Sequence, residues 1–313
     1  MSLRTVLVVA TALLAVTACS APAAPPAATT PATAGPISVY TLDEPQHRSP
    51  GAIAWHAASG TFFVATVHDG SVYRGSLDDP TVPVFLQGEP GRMGTGMGIT
   101  GGKIVVAGGL QGDIRLYDLE TRAPVGEFAT GAGGFLNGLL VGNAGDVWVT
   151  DGVRPALWHL TAEQVAAGSG TPASVSLAPE ISYIREPDNV EGIVGLSDSR
   201  LVVVKYADGT LFRIDLDPQA AQGRTITPIA GATVPLGSRM ILDGTRLVVA
   251  DENGVSVVEL NADASSATLV TRLRDPSFHD ATAVARVGDR YLVVNAGWND
   301  PPPYTISSVP VVA

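Results

Sequence analysis

From Ile37 onward the chain repeats one pattern six times: a short run of β-branched and aliphatic residues, apolar through its middle and bounded by Gly, Asp or Pro. The runs are TFFVAT (61–66), KIVVAG (103–108), DVWVTD (146–151), LVVVK (201–205), RLVVAD (246–251) and RYLVVN (290–295). A strand with no polar face must be covered on both sides. The runs recur every 40 to 55 residues or so, which is the period of a propeller blade. Each follows a small or apolar segment, beginning near Gly51, Gly96, Leu136, Glu191, Ser238 and Ala281, that reads as an innermost strand. Five are followed by a third strand: SVYRGSL (71–77), DIRLYDL (113–119), ALWHL (156–160), TLFRIDL (210–216) and GVSVVEL (254–260). The expectation is an all-β, six-bladed β-propeller over residues 37–313. The last blade is one strand short, and ISVYTL (37–42) is the strand available to complete it. The one helical turn expected is Thr161–Ala167.

The residues before Ile37 have a different character. A basic start, Met1 to Arg4, precedes the uncharged stretch TVLVVATALLAV (5–16), too short to span a bilayer, which takes about 20 residues. These are the proportions of an export signal. Val16-Thr17-Ala18-Cys19 has the form of a bacterial lipobox, and Cys19 is the only cysteine in the chain. The reading is a lipoprotein signal peptide over 1–18, cleavage before Cys19 and acylation of that thiol. Ser20 to Pro36 contains nothing larger than Ala, Pro and Thr to pack, so 19–36 reads as an extended tether. The expected location is the extracytoplasmic face of a membrane, held by lipid and not by a spanning helix. With the thiol modified no disulfide is available, so the domain rests on its core. The net charge of −11 repels phosphate, which argues against nucleic acid as a partner.

Several stretches resemble, in order, blades of the gluconolactonase/regucalcin (senescence marker protein) family. They are PGAIAWHAASGTFFVATVHDGSVYRGSL (50–77), FLNGLLVGNAGDVWVTDGVRPALWHL (135–160), VEGIVGLSDSRLVVVKYADGTLFRIDL (190–216), MILDGTRLVVADENGVSVVEL (240–260) and DPSFHDATAVARVGDRYLVVNAGWNDPPPYT (275–305). The resemblance implies a propeller whose enzymatic members hydrolyse lactones around one divalent, calcium-like cation. In that pattern a Glu of blade one, an Asn of blade four and an Asp of blade five hold the ion, and an Asn of blade three contacts its water or substrate. Such an ion takes a cluster of oxygens and polarises a carbonyl, while a carboxylate accepts the proton of the attacking water.

Carried over position by position, the pattern is broken. Gly51 stands where the blade-one Glu belongs, Glu191 where the blade-four Asn belongs, and Ser238-Arg239 where the blade-five Asp-Gly belongs. Asn137 and Asp151 match in blade three. Two arrangements remain open. Glu191, Asn137 and Asp151 form a rearranged metal set, with Glu191 and Asp151 catalytic; or they form a neutralised network with Arg239, with Asn137, Ser238 and Arg239 contacting ligand. The first makes a metal-dependent lactone or ester hydrolase. The second makes a binding protein with a degenerate metal site, taking a small molecule or an envelope protein. Met93, Met97, Met240 and Phe135 are expected around one mouth of the channel. The histidines at 47, 56, 68, 159 and 279 fit no zinc spacing, and no GxSxG occurs.

Overall fold

The computed structural model describes residues 37–46, 48–184, 188–217, 219 and 223–312. The signal segment, the tether, Cys19 and His47 lie outside the described residues. Among the described residues six sheets, antiparallel apart from two short parallel pairs at outer edges, follow one another along the chain. Their innermost strands are Pro50–His56, Gly96–Thr100, Leu136–Val141, Val190–Ser197, Met240–Asp243 and Ala281–Val287. Among the described residues no helix is long and apolar enough to cross a membrane. The helix Ala162–Ala167 forms where expected, started by a Thr161 capping box with Gln164.

The second strand of each blade shows why the repeated runs are apolar throughout. Its side chains alternate between faces, and both faces are core. Phe62 and Val64 pack toward blade six, while Phe63 and Ala65 pack toward blade two. Val105 and Ala107 pack toward blade three, while Ile104 and Val106 pack toward blade one. The buried apolar residues accordingly fall into six clusters, one between each pair of neighbouring blades. The ring has no end face to expose.

The strand Val39–Leu42 closes that ring. It pairs antiparallel with Thr305–Pro310, with Val39 opposite Ser307 and Thr41 opposite Thr305. Tyr40 and Leu42 enter the cluster between blades six and one. The outer edge of Val39–Leu42 is covered in turn by Thr81–Val82, running parallel. This protects a row of backbone groups that would otherwise template pairing with another chain.

Candidate functional site

Four of the six innermost strands carry a register break at the same height, near their first residue. The breaks fall between Pro50 and Ala52, Leu136 and Leu139, Val190 and Ile193, and Ala281 and Ala283. A bulge of this kind turns a side chain away from the sheet and re-aims it. The residues so released are Gly51, Asn137 with Gly138, Glu191 with Gly192, and Thr282. Glycines then let the strands close on the axis. A Cβ on Gly96 would lie 2.2 Å from Asn137 O, one on Gly138 2.1 Å from Glu191 O, and one on Gly192 2.3 Å from Ser238 O. Asn137, Glu191 and Ser238 are thereby stepped around one end of the channel, here termed the upper mouth.

Arg239 crosses this mouth. Its Nε donates to Thr95 O at 3.0 Å, and its Nη1 donates to Ser238 Oγ at 2.8 Å. Nη2 donates to Asn137 Oδ1 and to Thr95 O. Ser238 Oγ donates in turn to Glu191 Oε2 at 2.6 Å, and that oxygen lies 3.5 Å from Arg239 Nη1. One guanidinium thus ties blade five to blades two, three and four. Burial pushes the Glu191 carboxyl up from its ordinary range, and Arg239, Ser238 and Asn137 pull it back. Burial lowers the Arg239 guanidinium, opposed by Glu191; it remains charged, since arginine does not deprotonate in proteins.

Glu191, Asn137, Ser238 and Arg239 are therefore brought together. Asp151 is not part of the group. Its side chain is fully buried at the end of a second strand, and its Oδ1 accepts the backbone N–H groups of Phe135, Val153 and Arg154 at 2.9–3.0 Å. Its Oδ2 accepts from Arg154 Nε at 2.6 Å and Trp158 Nε1 at 3.2 Å. Although burial alone would raise it, these backbone donors and the Arg154 side chain hold the Asp151 carboxyl below the usual range. It organises a turn and faces no cavity. Of the residues expected around one mouth, Phe135 lines the upper mouth, while Met97 and Met240 line a separate lower cavity. Met93 lines neither and lies instead against Gly109.

The donor set does not suit a divalent ion held as the family pattern implies. Asn137 Oδ1 and Glu191 Oε2, the oxygens such an ion would take, are turned to the guanidinium and to Ser238 Oγ. At the blade-one position, a Cβ on Gly51 would lie 2.5 Å from Val67 Cγ2. Val67 fills the volume that a glutamate stem would need there. Among the described residues no group of three or more His, Cys, Asp and Glu side chains is placed to hold a metal.

Above the Arg239 plug lies a cavity of about 220 Å³, walled also by Asp188, Tyr206, Glu252 and the half-exposed Trp298. The Tyr206 hydroxyl donates to Glu252 Oε1, and burial together with that carboxylate raises the phenol strongly. Glu252 holds a left-handed backbone, φ +54°, an unfavourable conformation for a residue with a Cβ. It is clamped by paired backbone bonds with Ala281 at 3.0 and 3.1 Å. Sequence reasoning missed this second tier. Val67, Tyr206 and Glu252 each directly follow one of the repeated apolar runs, after Thr66, Lys205 and Asp251, so superposing the six repeats would have marked that position. His279 and Asp280 do not join the site. The His279 ring lies 3.8 Å from Asp300 on the surface, and Asp280 Oδ2 accepts the Trp298 N–H.

No protein-family model and no curated protein sequence matches the chain. Solved structures do resemble it. A regucalcin from Agrobacterium tumefaciens, described as a calcium-binding protein, superposes with a TM-score of 0.61 at 16% identity, covering 86% of this chain and 95% of that one. A gluconolactonase from Xanthomonas campestris gives 0.60 at 16%, covering 85% and 88%. The Malassezia sympodialis allergen Mala s 1 gives 0.64 at 13%, covering 87% and 96%. At these identities the likeness carries the architecture alone: the chain is a six-bladed β-propeller, shared by proteins of different function.

Proposed function

We propose that this chain is a lipid-anchored, gluconolactonase-like propeller that binds a small ligand at the upper mouth, with the Arg239 guanidinium standing where hydrolases of that architecture hold a metal. The observation that carries the reading is the closed set formed by Arg239, Asn137, Ser238, Glu191 and Thr95 O, a built-in cation with its acceptors already arranged around it. The anchoring part rests on the Val16-Thr17-Ala18-Cys19 motif and the small-residue tract after it. The mouth presents three carboxylates, of Asp188, Glu191 and Glu252, against one guanidinium. That balance favours a neutral polar or cationic ligand over an anion.

Titration calorimetry with calcium tests the reading directly. The expected result is no saturable heat and no thermal stabilisation at millimolar calcium, in both the parent and Glu191→Ala. Micromolar one-to-one binding that disappears in Glu191→Ala would overturn it and restore a metal-dependent hydrolase. Metabolic labelling with palmitate, compared between the parent and Cys19→Ala, tests the anchor; label retained in the variant would refute it.

A further inference from the structure

Arg239 divides the channel, lining both the upper mouth and a second cavity beneath it. We propose that this lower cavity is a separate binding site for a neutral, hydrocarbon-rich small molecule. Its volume is about 450 Å³, within the 300–1,000 Å³ or so typical of small-molecule pockets. All six innermost strands contribute to the wall, through residues such as Ala54, Ile99, Leu139, Val194, Ile241 and Ala285. Side chains of this kind make no demand for polar partners, and water gains little from them. Short side chains such as those of Ala54 and Ala285 line it, leaving room that larger residues at these positions would take up.

Charge decides the ligand class. The two cationic groups bordering the cavity are both engaged. Arg239 donates to the acceptors of the upper mouth. At the rim, Arg286 pairs with Asp243 Oδ1 and donates from Nε to Gly288 O at 3.1 Å. Asp243 is further held by the Tyr291 hydroxyl at 2.9 Å. An anionic ligand would have to break one of these pairs, and an organic cation would meet no uncommitted carboxylate on the wall. Each innermost strand is the last of its sheet, so its free backbone edge borders the channel. Those N–H and C=O groups still seek hydrogen bonds. The fitting ligand is therefore an uncharged molecule that is mostly hydrocarbon and carries a hydroxyl, carbonyl or amine N–H.

The test is fluorescence titration of the full chain with N-phenyl-1-naphthylamine, a neutral apolar probe with one N–H. Saturable one-to-one binding at micromolar concentration is expected. Ala54→Phe and Ala285→Phe, which fill the cavity from the innermost strands of blades one and six, should each weaken it at least tenfold. Leu269→Ser, on an exposed outer strand, should leave it unchanged. The anionic analogue 8-anilino-1-naphthalenesulfonate should bind at least tenfold more weakly than the neutral probe. In the unmodified chain, intermolecular NOEs should connect the probe to the Ala54 and Ala285 methyls, a readout that needs no variant to fold. Absence of those NOEs, non-saturable fluorescence, or parent-like affinity in both filled variants would overturn the proposal.

Discussion

Replacing Arg239 with Met keeps most of the side-chain volume and removes the charge. Only 15% of the Arg239 side chain and 11% of the Glu191 side chain are exposed, so solvent screens the loss poorly. Removing one partner of a buried ion pair costs about 3–5 kcal/mol, because the other charge is left uncompensated. For a domain somewhat larger than 150–250 residues, each kcal/mol shifts the melting temperature by about 2 °C. Scanning calorimetry at pH 7 should therefore show Arg239→Met melting roughly 6–10 °C below the parent. Adding Glu191→Gln removes the orphaned charge and keeps an acceptor for Ser238 Oγ. It should recover more than half the loss, with Thr95 O and Asn137 Oδ1 still lacking their donor. The pH dependence follows from the same carboxyl. In Arg239→Met, burial holds the folded-state Glu191 above its unfolded value of about 4.3, so stability falls as the pH rises from about 4 through the folded value. Near pH 3, well below the unfolded value, both states are protonated, and that part of the penalty should vanish. A loss under 2 °C or so at pH 7, or a double variant no better than the single, would refute the ion-pair account of the mouth.

Asp151→Ala should orphan three backbone N–H groups and leave Arg154, still bonded to Thr130, without its carboxylate partner, costing at least about 3 kcal/mol in urea denaturation. Because the parent's Asp151 carboxyl lies below its usual value, it stabilises the fold above about pH 3.9, and this is lost as the pH falls through the folded value. The variant should therefore show a shallower loss of melting temperature between pH 5 and 2. Tyr40→Ala should cost about 3–5 kcal/mol, since Tyr40 is fully buried and lies edge-on to Phe62 at 5.1 Å; a drop below 1 kcal/mol or so would show that the closing strand is dispensable.

The blades are legible in the chain because their second strands are buried on both faces, which forces an apolar run with no alternation at a fixed period. The closing strand is legible for a related reason, since six repeats of four strands leave blade six one short. The site is less legible. That Asn137, Glu191 and Ser238 lie together depends on register breaks and on glycines pressed against neighbouring carbonyls, and neither leaves a trace in a period-two pattern. Asp151 illustrates the limit. A Thr-Asp pair ending a strand looks the same whether its carboxylate faces the channel or gathers the N–H groups of the turn that follows. The decision lies in Gly152, Val153 and Arg154, which fold back over it. Glu252 and Tyr206 escaped notice because each is one residue beyond a run whose conspicuous part is its apolar middle.

The pairing of Val39–Leu42 with Thr305–Pro310 bears on when the molecule can become itself. The partner of the first strand lies beyond all six second strands along the chain, so ring closure must wait until Thr305–Pro310 has been made. Until then the cluster holding Tyr40, Phe62 and Ile306 is split between two ends of an open arc. Contacts of such long range make folding slow, and an open sheet edge invites association with another chain. A chain interrupted before Thr305 would keep five blades' worth of packing and an unsealed seam, which makes the C-terminal strand the natural checkpoint between a folding intermediate and a finished propeller.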